Sequence, residues 1–478
     1  MRHYDCLIDG MNRPAADGRT IAMVCPSNGE TIATVARGSE AEVDEAVLAA
    51  RRALDEGAWG RLAPADRGRI LGRMAAAVTS RHAELAELEA RDCGKPLRQA
   101  KTDITCLARY LEFYGGAADK LHGVQIPFLE GWLVTGLREP HGVTAHIIPW
   151  NYPAQIFGRS VGAALATGNA AALKPAEDAG LTCLEVARLA LECGLPPGAL
   201  NVVTGLGEEA GAALSRHGDI DFVSFTGSPE VGTAIQTAAA RRTIGCTLEL
   251  GGKSAQLVFA DADLDDALPA IVNAIIQNAG QTCSAGSRVL IERPIFDAAA
   301  ARLAERFGAL RVGRHDMDLD LGPLINRQQH ERVQRFLERA RDLPLLAEGR
   351  LAPDLPPNGF YVAPRLYGPV PADHVLAQEE VFGPILVAMP FADEEEAIRL
   401  ANGTAFGLVA GIWTRDGGRQ MRVARRLRAG QIFVNGYGAG GGIELPFGGV
   451  KRSGHGREKG FEALYEFSQL KTIAFRHG

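Results

Sequence analysis

Apolar side chains recur three and four positions apart in two long segments near the start of the chain. The segments are residues 40–57 and 64–91, and this spacing predicts two amphipathic helices. Pro64 stands early in the second segment and Gly94 lies just beyond its end, as is typical of helix termini. Both helices are therefore expected to bury one face.

From residue 142 onward the pattern changes to short apolar runs separated by helical stretches. The apolar runs predict strands, and the stretches between them have the spacing of helices. In chain order these elements are a strand at 142–150, a helix at 153–167, a strand at 169–175, a helix at 179–193, a strand at 199–205, and a strand, turn and helix within 219–240. Strands that alternate with helices predict a parallel sheet and an α/β fold.

A second α/β unit is predicted after the segment LELGGKSAQLVFADADLD, with helices near 263–280 and 296–309. The proline-rich residues 344–371 are predicted to form a loop region. The glycine-rich residues 435–460 are too irregular for one element, and a loop of this length in a compact domain is usually functional or disordered. Residues 121–141 and the last stretch of the chain are strand-like and belong clearly to neither unit.

The composition is that of a globular protein with several domains. The chain has 478 residues, of which 46% are hydrophobic and 23% charged, and this excludes a disordered chain and a coiled coil. At about 100 to 200 residues per domain, the length predicts two or three domains. The 56 glycines exceed the usual share, so many tight turns and close backbone approaches are expected, as in α/β enzymes.

The net charge and the hydropathy of the chain bear on its partners and on its cellular location. The formal net charge of −6 leaves no broad basic field for a polyanion, so nucleic acid is not expected as a partner. No apolar run reaches the roughly 18 to 20 residues of a membrane-spanning helix, and the N-terminal segment MRHYDCLIDG lacks the apolar stretch of a signal peptide. We expect a cytoplasmic protein without a membrane partner.

One of the eight cysteines has the surroundings of a nucleophile. The cysteines are scattered without a CxxC pair or a zinc-like pairing with histidine, so neither a metal nor a disulfide framework is expected. Cys283 lies in the segment QNAGQTCSAGSR, where small neighbours leave its sulfur open to a substrate carbon. The alternative is a small core residue in a tight loop.

The turn at Gly227 and Ser228 lies between a predicted strand and a predicted helix. Ser228 suits the helix cap and Pro229 the first helical position, so backbone N–H groups point at the space before the helix. Such a helix start attracts phosphate, yet the same residues fit any strand-to-helix turn of an α/β protein. Cofactor binding is one of two interpretations of this turn.

Seven short segments follow one another along the chain in an order that is informative as a set. They are PWNYP at 149–153, LKPAE at 173–177, FTGS at 225–228, LELGGK at 248–253, GQTCSAGSR at 280–288, EEVFGP at 379–384 and PFGGVKRSGHGRE at 446–458. With these segments the chain resembles the aldehyde dehydrogenase superfamily over essentially its whole length. The separation of Glu249 from Cys283 also matches that between general base and nucleophile in this family.

The resemblance implies covalent oxidation of an aldehyde to a carboxylic acid. Cys283 would form a thiohemiacetal, and Asn151 with the backbone N–H of Cys283 would hold its oxyanion. After hydride transfer to a nicotinamide, Glu249 would activate water to hydrolyse the thioester. Glu458 resembles a second glutamate that relays protons in related enzymes. The alternative for Glu249 is a surface or paired carboxylate, and for Glu458 a solvated one.

The resemblance also implies a bound dinucleotide and the residues that line its site. These cofactor-binding residues are Ile147, Ile148, Pro149, Trp150, Lys174, Glu177, Gly207, Gly227, Ser228, Val231, Leu250, Glu380 and Phe382. A carboxylate such as Glu177 beside a ribose accepts a hydrogen bond from NAD and repels the 2′-phosphate of NADP. NAD is therefore the expected cofactor, with NADP as an alternative because Lys174 is close. The other interpretation of Lys174 and Glu177 is an exposed pair at a strand end.

Tyr152 and Arg159 are the substrate-binding residues that the resemblance implies. Arg159, followed by Ser160, stands where many relatives have an aromatic residue and often a lysine after it. A guanidinium pairs with a carboxylate, so Arg159 suggests a small anionic or hydroxylated semialdehyde, unless it pairs with a neighbouring acid of the protein. Gln277 differs from the arginine common in succinate semialdehyde enzymes, and the glycine-rich tail also resembles betaine aldehyde and amino aldehyde dehydrogenases.

The resemblance divides the chain into three parts. Residues 1–120 with 142–250 would form a Rossmann-like dinucleotide-binding domain and residues 251–434 an α/β catalytic domain. Residues 121–141 and 460–478 would form a small β oligomerisation element of a homodimer or homotetramer, because their strands would otherwise present bare edges. Two rival functions are a CoA-acylating aldehyde dehydrogenase, which commonly lacks the glutamate base, and a catalytically silent binding or structural relative.

Overall fold

The computed structural model describes residues 2–438 and 442–478. Its strands are short and are distributed over the whole chain. In chain order they are β1 Arg2–Tyr4, β2 Cys6–Ile8, β3 Met11–Arg13, β4 Thr20–Val24, β5 Thr31–Ala36, β6 Val124–Ile126, β7 Trp132–Pro140, β8 Val143–Ile147, β9 Ala170–Lys174, β10 Leu200–Val202, β11 Phe222–Thr226, β12 Gly245–Glu249, β13 Ala255–Val258, β14 Arg288–Glu292, β15 Arg311–Val312, β16 Leu345–Glu348, β17 Arg350–Leu351, β18 Arg365–Tyr367, β19 Ile385–Phe391, β20 Val409–Trp413, β21 Gln431–Val434, β22 Gly454–His455 and β23 Ser468–Arg476.

The helices alternate with these strands from α5 onward. They are α1 Glu40–Asp55, α2 Pro64–Ser80, α3 His82–Cys93, α4 Leu97–Ala117, α5 Pro153–Ile156, α6 Gly162–Thr167, α7 Leu181–Glu192, α8 Ala212–Arg216, α9 Pro229–Arg242, α10 Leu264–Ile276, α11 Phe296–Ala309, α12 Arg327–Arg339, α13 Val375–Gln378, α14 Glu394–Asn402, α15 Gly417–Arg426 and α16 Glu462–Glu466. A π-helical turn at Phe157–Val161 joins α5 to α6. Among the described residues, no helix is long and apolar enough to cross a membrane.

Two mostly parallel sheets organise the molecule. The first has the strand order β22-β12-β11-β8-β9-β10-β2-β3, and its five central strands are parallel. The second has the order β16-β18-β19-β14-β13-β20-β21, and only β16 is antiparallel to its neighbour. The predicted α/β fold with parallel sheets is confirmed.

Each large sheet has its own apolar core. The first core extends from Tyr4 to Leu250 and also takes in Leu464 and Phe467 from the end of the chain. The second core is built from residues between Ala255 and Leu427. The fully buried strands of both sheets consist mainly of alanine, valine, leucine and isoleucine, because helices cover both faces of a parallel sheet.

A third sheet of three antiparallel strands, β23-β7-β6, lies outside both cores. Leu133 and Phe475 are directly opposite each other in it, and both are exposed. Leu137 lies on the same face as Leu133 and is also exposed. This sheet therefore presents an apolar face to solvent in the single chain.

The structure corrects three of the predicted elements. The long helix expected at 64–91 is two helices, because Arg81 leaves the helical conformation with φ −101° and ψ 19°. The proline-rich region at 344–371 contains β16, β17 and β18, and Pro344 and Pro364 stand just before strands, where a missing N–H is tolerated. The last stretch of the chain begins with the helical turn α16 before it becomes a strand.

Candidate active site

A cavity of about 540 Å³ brings together residues from distant parts of the chain. Its walls come from α4, from the segment after β8, from the turn that follows α10, and from the glycine-rich segment near the C-terminus. Asn151, Tyr152, Arg159 and Cys283 all line it. Four of the residues implied by the resemblance therefore line one cavity.

Cys283 lies in the turn that leads from α10 to β14. Asn278 and Ala279 have positive φ angles of 47° and 54°, so the backbone bends sharply just before it. A Cβ atom added to Gly252 would lie 2.3 Å from the Cys283 carbonyl oxygen, which shows how closely the two backbones approach. Burial raises the pKa of the Cys283 thiol to about 11, although Arg159 acts in the opposite direction. The thiol consequently needs a base before it can attack.

Asn151 is fixed by its backbone and leaves part of its side-chain amide available. Its backbone carbonyl oxygen accepts hydrogen bonds from Lys95 Nζ and Asn278 Nδ2, both at 2.9 Å. Its side-chain Nδ2 donates to the Gln281 backbone carbonyl at 3.0 Å. An amide nitrogen carries two hydrogens, and only one is used here. Within the described chain, the backbone N–H of Cys283 is also without an acceptor. Two donors are thus free beside the nucleophile.

Glu249 is the last residue of β12 and is buried without a hydrogen-bond partner. Neither carboxylate oxygen contacts a donor in the part of the chain that the structure describes. Burial raises the pKa of Glu249 well above its ordinary value, and the nearby Glu458 raises it further, while Arg159 opposes both. A Cβ atom on Gly448 would lie 2.8 Å from Glu249 Oε1, so the glycine makes room for this carboxyl.

Arg159 lies in the π-helical turn and pairs with Glu458. The two form a buried ion pair, and Arg159 Nη2 also donates to Thr226 Oγ1 at 3.2 Å. The guanidinium carbon is 5.2 Å from the centre of the Phe447 ring. The alternative that Arg159 pairs with a neighbouring acid is therefore observed, although Arg159 still lines the cavity.

Lys174 and Glu177 meet at the carboxyl end of β9, where ligands bind in open α/β sheets. Lys174 Nζ donates to Glu177 Oε2 at 2.5 Å, and Glu177 Oε1 accepts from the Gly207 N–H at 3.1 Å. Burial opposes ionisation of Glu177, but Lys174 and this N–H outweigh it and hold its pKa below the ordinary value. A carboxylate and an ammonium group at a strand end fit the hydroxyls of a ribose.

Glu380 and Phe382 lie in the loop between α13 and β19, close to the backbone of Gly252 and to Trp150. Glu380 Oε1 accepts from the Gly252 N–H at 2.7 Å, and burial raises the pKa of Glu380 to about 7. Phe382 has a positive φ of 57°, and its ring meets Trp150 edge-on at 5.4 Å. Gln329 Nε2 donates to the Phe382 carbonyl at 2.7 Å and supports this unusual backbone.

The other residues of the implied cofactor site lie at the ends of β8, β11 and β12. Ile147 ends β8, the Ile148 N–H donates to the Lys174 carbonyl at 3.2 Å, and Pro149 follows. Gly227 donates to the Glu249 carbonyl at 3.0 Å, and Leu250 to the Ser453 carbonyl at 3.1 Å. The first contact joins the carboxyl ends of β11 and β12, and the second joins the end of β12 to the C-terminal segment.

Ser228 caps α9, as its sequence position predicts. Its side chain accepts from the Val231 N–H at 3.3 Å, and Pro229 takes the first helical position. Val231 is 49% exposed on the first turn of this helix. The helix start is thus open to a ligand, and its N–H groups suit phosphate oxygens.

The sequence did not predict several of the residues that build the site. Lys95 is fully buried, contacts the Tyr152 ring at 4.4 Å and pairs with Asp103 at 2.5 Å. Tyr152 in turn contacts Thr282 Oγ1 at 2.8 Å through its hydroxyl. Lysine is rarely buried, so its sequence position alone predicts an exposed side chain. No cluster of three or more metal-ligating side chains occurs among the described residues.

Comparisons with known proteins identify the family of the chain. The model of the aldehyde dehydrogenase family matches residues 13–473. A crystal structure of a candidate aldehyde dehydrogenase from Burkholderia cenocepacia is 62% identical, with a TM-score of 0.98, and the match covers 99% of this chain and 100% of that one. An NAD-dependent aldehyde dehydrogenase from Sinorhizobium meliloti is 38% identical, with a TM-score of 0.97, and the match covers 100% of this chain and 96% of that one. The NADP/NAD-dependent aldehyde dehydrogenase PuuC of Escherichia coli (strain K12) is 41% identical over 472 residues, which are 98% of this chain and 94% of that protein. The chain therefore belongs to the aldehyde dehydrogenase family.

Proposed function

We propose that the chain oxidises an aldehyde to a carboxylic acid with NAD, through a thioester on Cys283. One observation carries the proposal: a cysteine at a cavity wall lies beside two free N–H donors and near a buried carboxyl without a partner. A nucleophile, an oxyanion site and a base are the groups that this reaction requires. The family membership supports the same chemistry.

The first step joins the aldehyde to the enzyme. Glu249, in its ionised form, takes the thiol proton of Cys283, and the sulfur attacks the carbonyl carbon to form a thiohemiacetal. The carbonyl oxygen becomes an oxyanion, which accepts hydrogen bonds from the Asn151 amide and the Cys283 N–H. The buried position of these donors strengthens their effect on the charge.

The chain holds residues that fit NAD beside this carbon. Lys174 and Glu177 would hold the adenosine ribose, the start of α9 the phosphates, and Glu380 and Phe382 the nicotinamide end. When bound, NAD supplies the hydride acceptor for the tetrahedral carbon, and a thioester remains on Cys283. Glu177 favours NAD over NADP, with NADP as the alternative cofactor because Lys174 lies beside it. The relatives named above include one NAD-dependent and one NADP/NAD-dependent enzyme.

Hydrolysis of the thioester completes the reaction. Glu249 accepts a proton from water, the hydroxide adds to the thioester carbonyl, and the Cys283 sulfur leaves as the acid is released. Glu458 is 0% exposed, is paired with Arg159 and accepts a hydrogen bond from Ser224 Oγ, so its polar contacts are with the protein. We assign Glu249 the role of base and give Glu458 a supporting role in the same site.

The substrate that the cavity supports best is a small aldehyde with a hydroxylated tail. Arg159, the cation implied for an anionic tail, already has a carboxylate partner in Glu458. The walls add the neutral amide side chains of Asn273 and Gln277, which suit a hydroxyl group. An anionic semialdehyde and a betaine or amino aldehyde remain the alternatives.

Turnover with a panel of aldehydes tests the function and the substrate class together. We would measure NADH formation and the acid product with lactaldehyde, succinate semialdehyde, betaine aldehyde and benzaldehyde, and compare kcat/KM. The highest value is expected with lactaldehyde, and a clear preference for succinate semialdehyde would favour the anionic alternative. Full activity of Cys283→Ala would contradict the covalent mechanism.

The rival functions give different products in the same assay. A CoA-acylating enzyme forms product only when CoA is added, and the buried Glu249 speaks against it because that enzyme class commonly lacks this base. A catalytically silent relative forms no NADH with any aldehyde of the panel. Acid formation without CoA is the expected result.

A further inference from the structure

A chain of buried hydrogen bonds runs from β8 to the Arg159 ion pair. Thr144 Oγ1 is 2.8 Å from His146 Nε2, and His146 Nδ1 is 2.7 Å from Ser160 Oγ. Ser160 Oγ is 2.8 Å from Ser224 Oγ, which donates to Glu458 Oε1 at 3.0 Å. We call these four residues before Glu458 the hydroxyl–imidazole chain. All of its members are buried.

The direction of every hydrogen bond in this chain follows from its end. The Glu458 carboxylate, which is paired with Arg159, can only accept, so Ser224 must donate to it. Ser224 then accepts from Ser160, and Ser160 accepts from His146 Nδ1. Burial lowers the pKa of His146 to about 3, so the imidazole is neutral and its Nε2 accepts from Thr144. Thr144 Oγ1 also lies 3.3 Å from the Ala170 carbonyl oxygen and shares its single proton between that oxygen and His146 Nε2, while the other members each have one defined role.

The same ion pair reaches the reacting groups from the other side. Arg159 Nη2 donates to Thr226, whose strand neighbour in the sheet is Glu249. The guanidinium lies over the Phe447 ring, and Cys283 packs against the small cluster that contains Phe447. Arg159 therefore stands next to the base and one side chain away from the nucleophile.

We propose that the hydroxyl–imidazole chain is a positioning device that fixes Glu458 and, through it, Arg159, so that the guanidinium serves Cys283 and Glu249 and not the tail of the aldehyde. The inference rests on the proposed covalent function. Thr144, His146, Ser160 and Ser224 are positioning residues, because none of them reaches the reacting atoms. The orientation of Arg159 is set by the buried chain, since a buried guanidinium keeps the geometry that its hydrogen-bond partners dictate.

The charge that Cys283 experiences is the quantity to measure, so all groups that face the ion pair and the thiol have to be considered. They are Arg159, Glu249, Glu458, Lys459, Glu380, Arg457, Cys106, Tyr152, Tyr437, and Tyr110 and Tyr114 of α4. The variants proposed below alter none of these groups. A change in thiol reactivity would therefore report a change in the position of Arg159 relative to Cys283.

Alkylation of Cys283 by iodoacetamide tests the proposal without turnover. In Ser224→Ala the hydroxyl–imidazole chain loses the hydroxyl that contacts Glu458, and Arg159 is expected to lose its fixed position. Because the guanidinium favours the thiolate, the alkylation rate at a fixed pH near 8 should fall about tenfold, and its rise with pH should move to higher pH. Mass spectrometry of the Cys283 peptide separates its reaction from that of the other cysteines.

Steady-state kinetics supply the second measurement. Ser224→Ala should lower kcat about tenfold with KM changed less than twofold, and by the same factor for lactaldehyde and for succinate semialdehyde. Ser160→Ala interrupts the chain one residue earlier and should behave alike, which covers the case that one variant does not fold. Ser215→Ala is the matched control, because among the described residues this buried serine bonds only to the Ala212 carbonyl in its own helix.

The outcomes separate this inference from the proposed function. The positioning role is wrong if the unaltered enzyme is active while Ser224→Ala and Ser160→Ala match Ser215→Ala in alkylation rate and kcat. The proposed function would stand in that case. A larger loss of kcat for succinate semialdehyde than for lactaldehyde would show that Arg159 contacts the tail of the aldehyde. That result would also overturn the inference. No NADH from the unaltered enzyme with any aldehyde would instead contradict the proposed function.

Discussion

Burial controls the two reacting residues at the scale of single side chains. The thiol of Cys283 and the carboxyl of Glu249 both have raised pKa values because the site withholds water from their charged forms. Burial therefore disfavours the ionised form of both side chains. Arg159 opposes both shifts from within its ion pair with Glu458.

The raised pKa of Glu249 predicts how hydrolysis depends on pH. Below that pKa the carboxyl carries a proton and cannot accept one from water, so the rate of acid release should rise with pH as Glu249 ionises. Glu249→Gln should form the burst of NADH more slowly, because Cys283 loses the base that takes its proton, and should lower the following steady rate about 100-fold and remove its rise with pH. Stopped-flow absorbance across the pH range measures both phases.

A matched control keeps this result specific. Glu338 is an exposed glutamate on α12, and Glu338→Gln should leave burst and steady rate unchanged. A steady rate of Glu249→Gln that still rises with pH as in the unaltered enzyme would mean that another group is the base.

Glu177 predicts the choice between the two dinucleotides. Its carboxylate would repel the additional phosphate of NADP, so Glu177→Gln should lower the ratio of kcat/KM for NAD to that for NADP about tenfold. Initial rates with both cofactors give the ratio. Glu192→Gln, at the exposed end of α7, is the control and should leave it unaltered. An unchanged ratio in Glu177→Gln would place the ribose elsewhere.

At the scale of elements, loops from three strands meet within backbone distance. The segment after β12, the turn before β14 and the loop before β19 converge at Gly252, Cys283 and Glu380. Each contact is between backbone atoms or between backbone and carboxylate, so the nucleophile is positioned by chain geometry. A side chain at the meeting point would separate the elements.

Gly252→Ala tests this convergence. The added Cβ would meet the Cys283 carbonyl oxygen at 2.3 Å, and the turn must shift to make room. We expect kcat/KM to fall at least about tenfold, since a displacement near 1 Å at a reacting group is costly. Gly72→Ala on α2 is the control, because a Cβ there meets nothing within 4 Å and should stabilise the helix by about 0.5–1 kcal/mol. Equal activity of the two variants would contradict the close approach.

At the scale of the whole molecule, the two cores and the exposed sheet indicate how the chain is divided into domains. We propose that residues 1–120 with 142–250 act as the dinucleotide-binding domain, 251–434 as the catalytic domain, and 121–141 with 460–478 as the oligomerisation element. The separate cores support the first two boundaries. The apolar face of the third sheet supports the last, because such a patch normally marks an interface. The cytoplasmic location remains a prediction.

The exposed sheet predicts that the chain assembles. Analytical ultracentrifugation should give a mass of two or four chains and not the 50.9 kDa of one. Replacing Leu133 and Phe475 together by Glu places two charges opposite each other on that face and should release monomers. Met421→Glu is the control, since Met421 is also an exposed apolar residue but lies on α15, outside the sheet. A monomeric unaltered protein would contradict the proposed oligomerisation element.

The sequence by itself determined the fold class, the family and the order of the motifs. Strand and helix periodicity depends on neighbouring residues, and motifs such as the one around Cys283 are local, so both can be read from the chain. The end of α2 at Arg81 and the strands within 344–371 escaped prediction, because their boundaries depend on tertiary contacts and sheet partners.

Only the tertiary structure decided which groups share one site and in what state. Arg159 and Glu458 are far apart in sequence, and their ion pair exists because the π-helical turn and the C-terminal segment meet beneath the cavity. The link from His146 through Ser160 and Ser224 likewise joins β8, that turn and β11. Burial, which sets the pKa values of Cys283 and Glu249, is a property of all the elements packed around them.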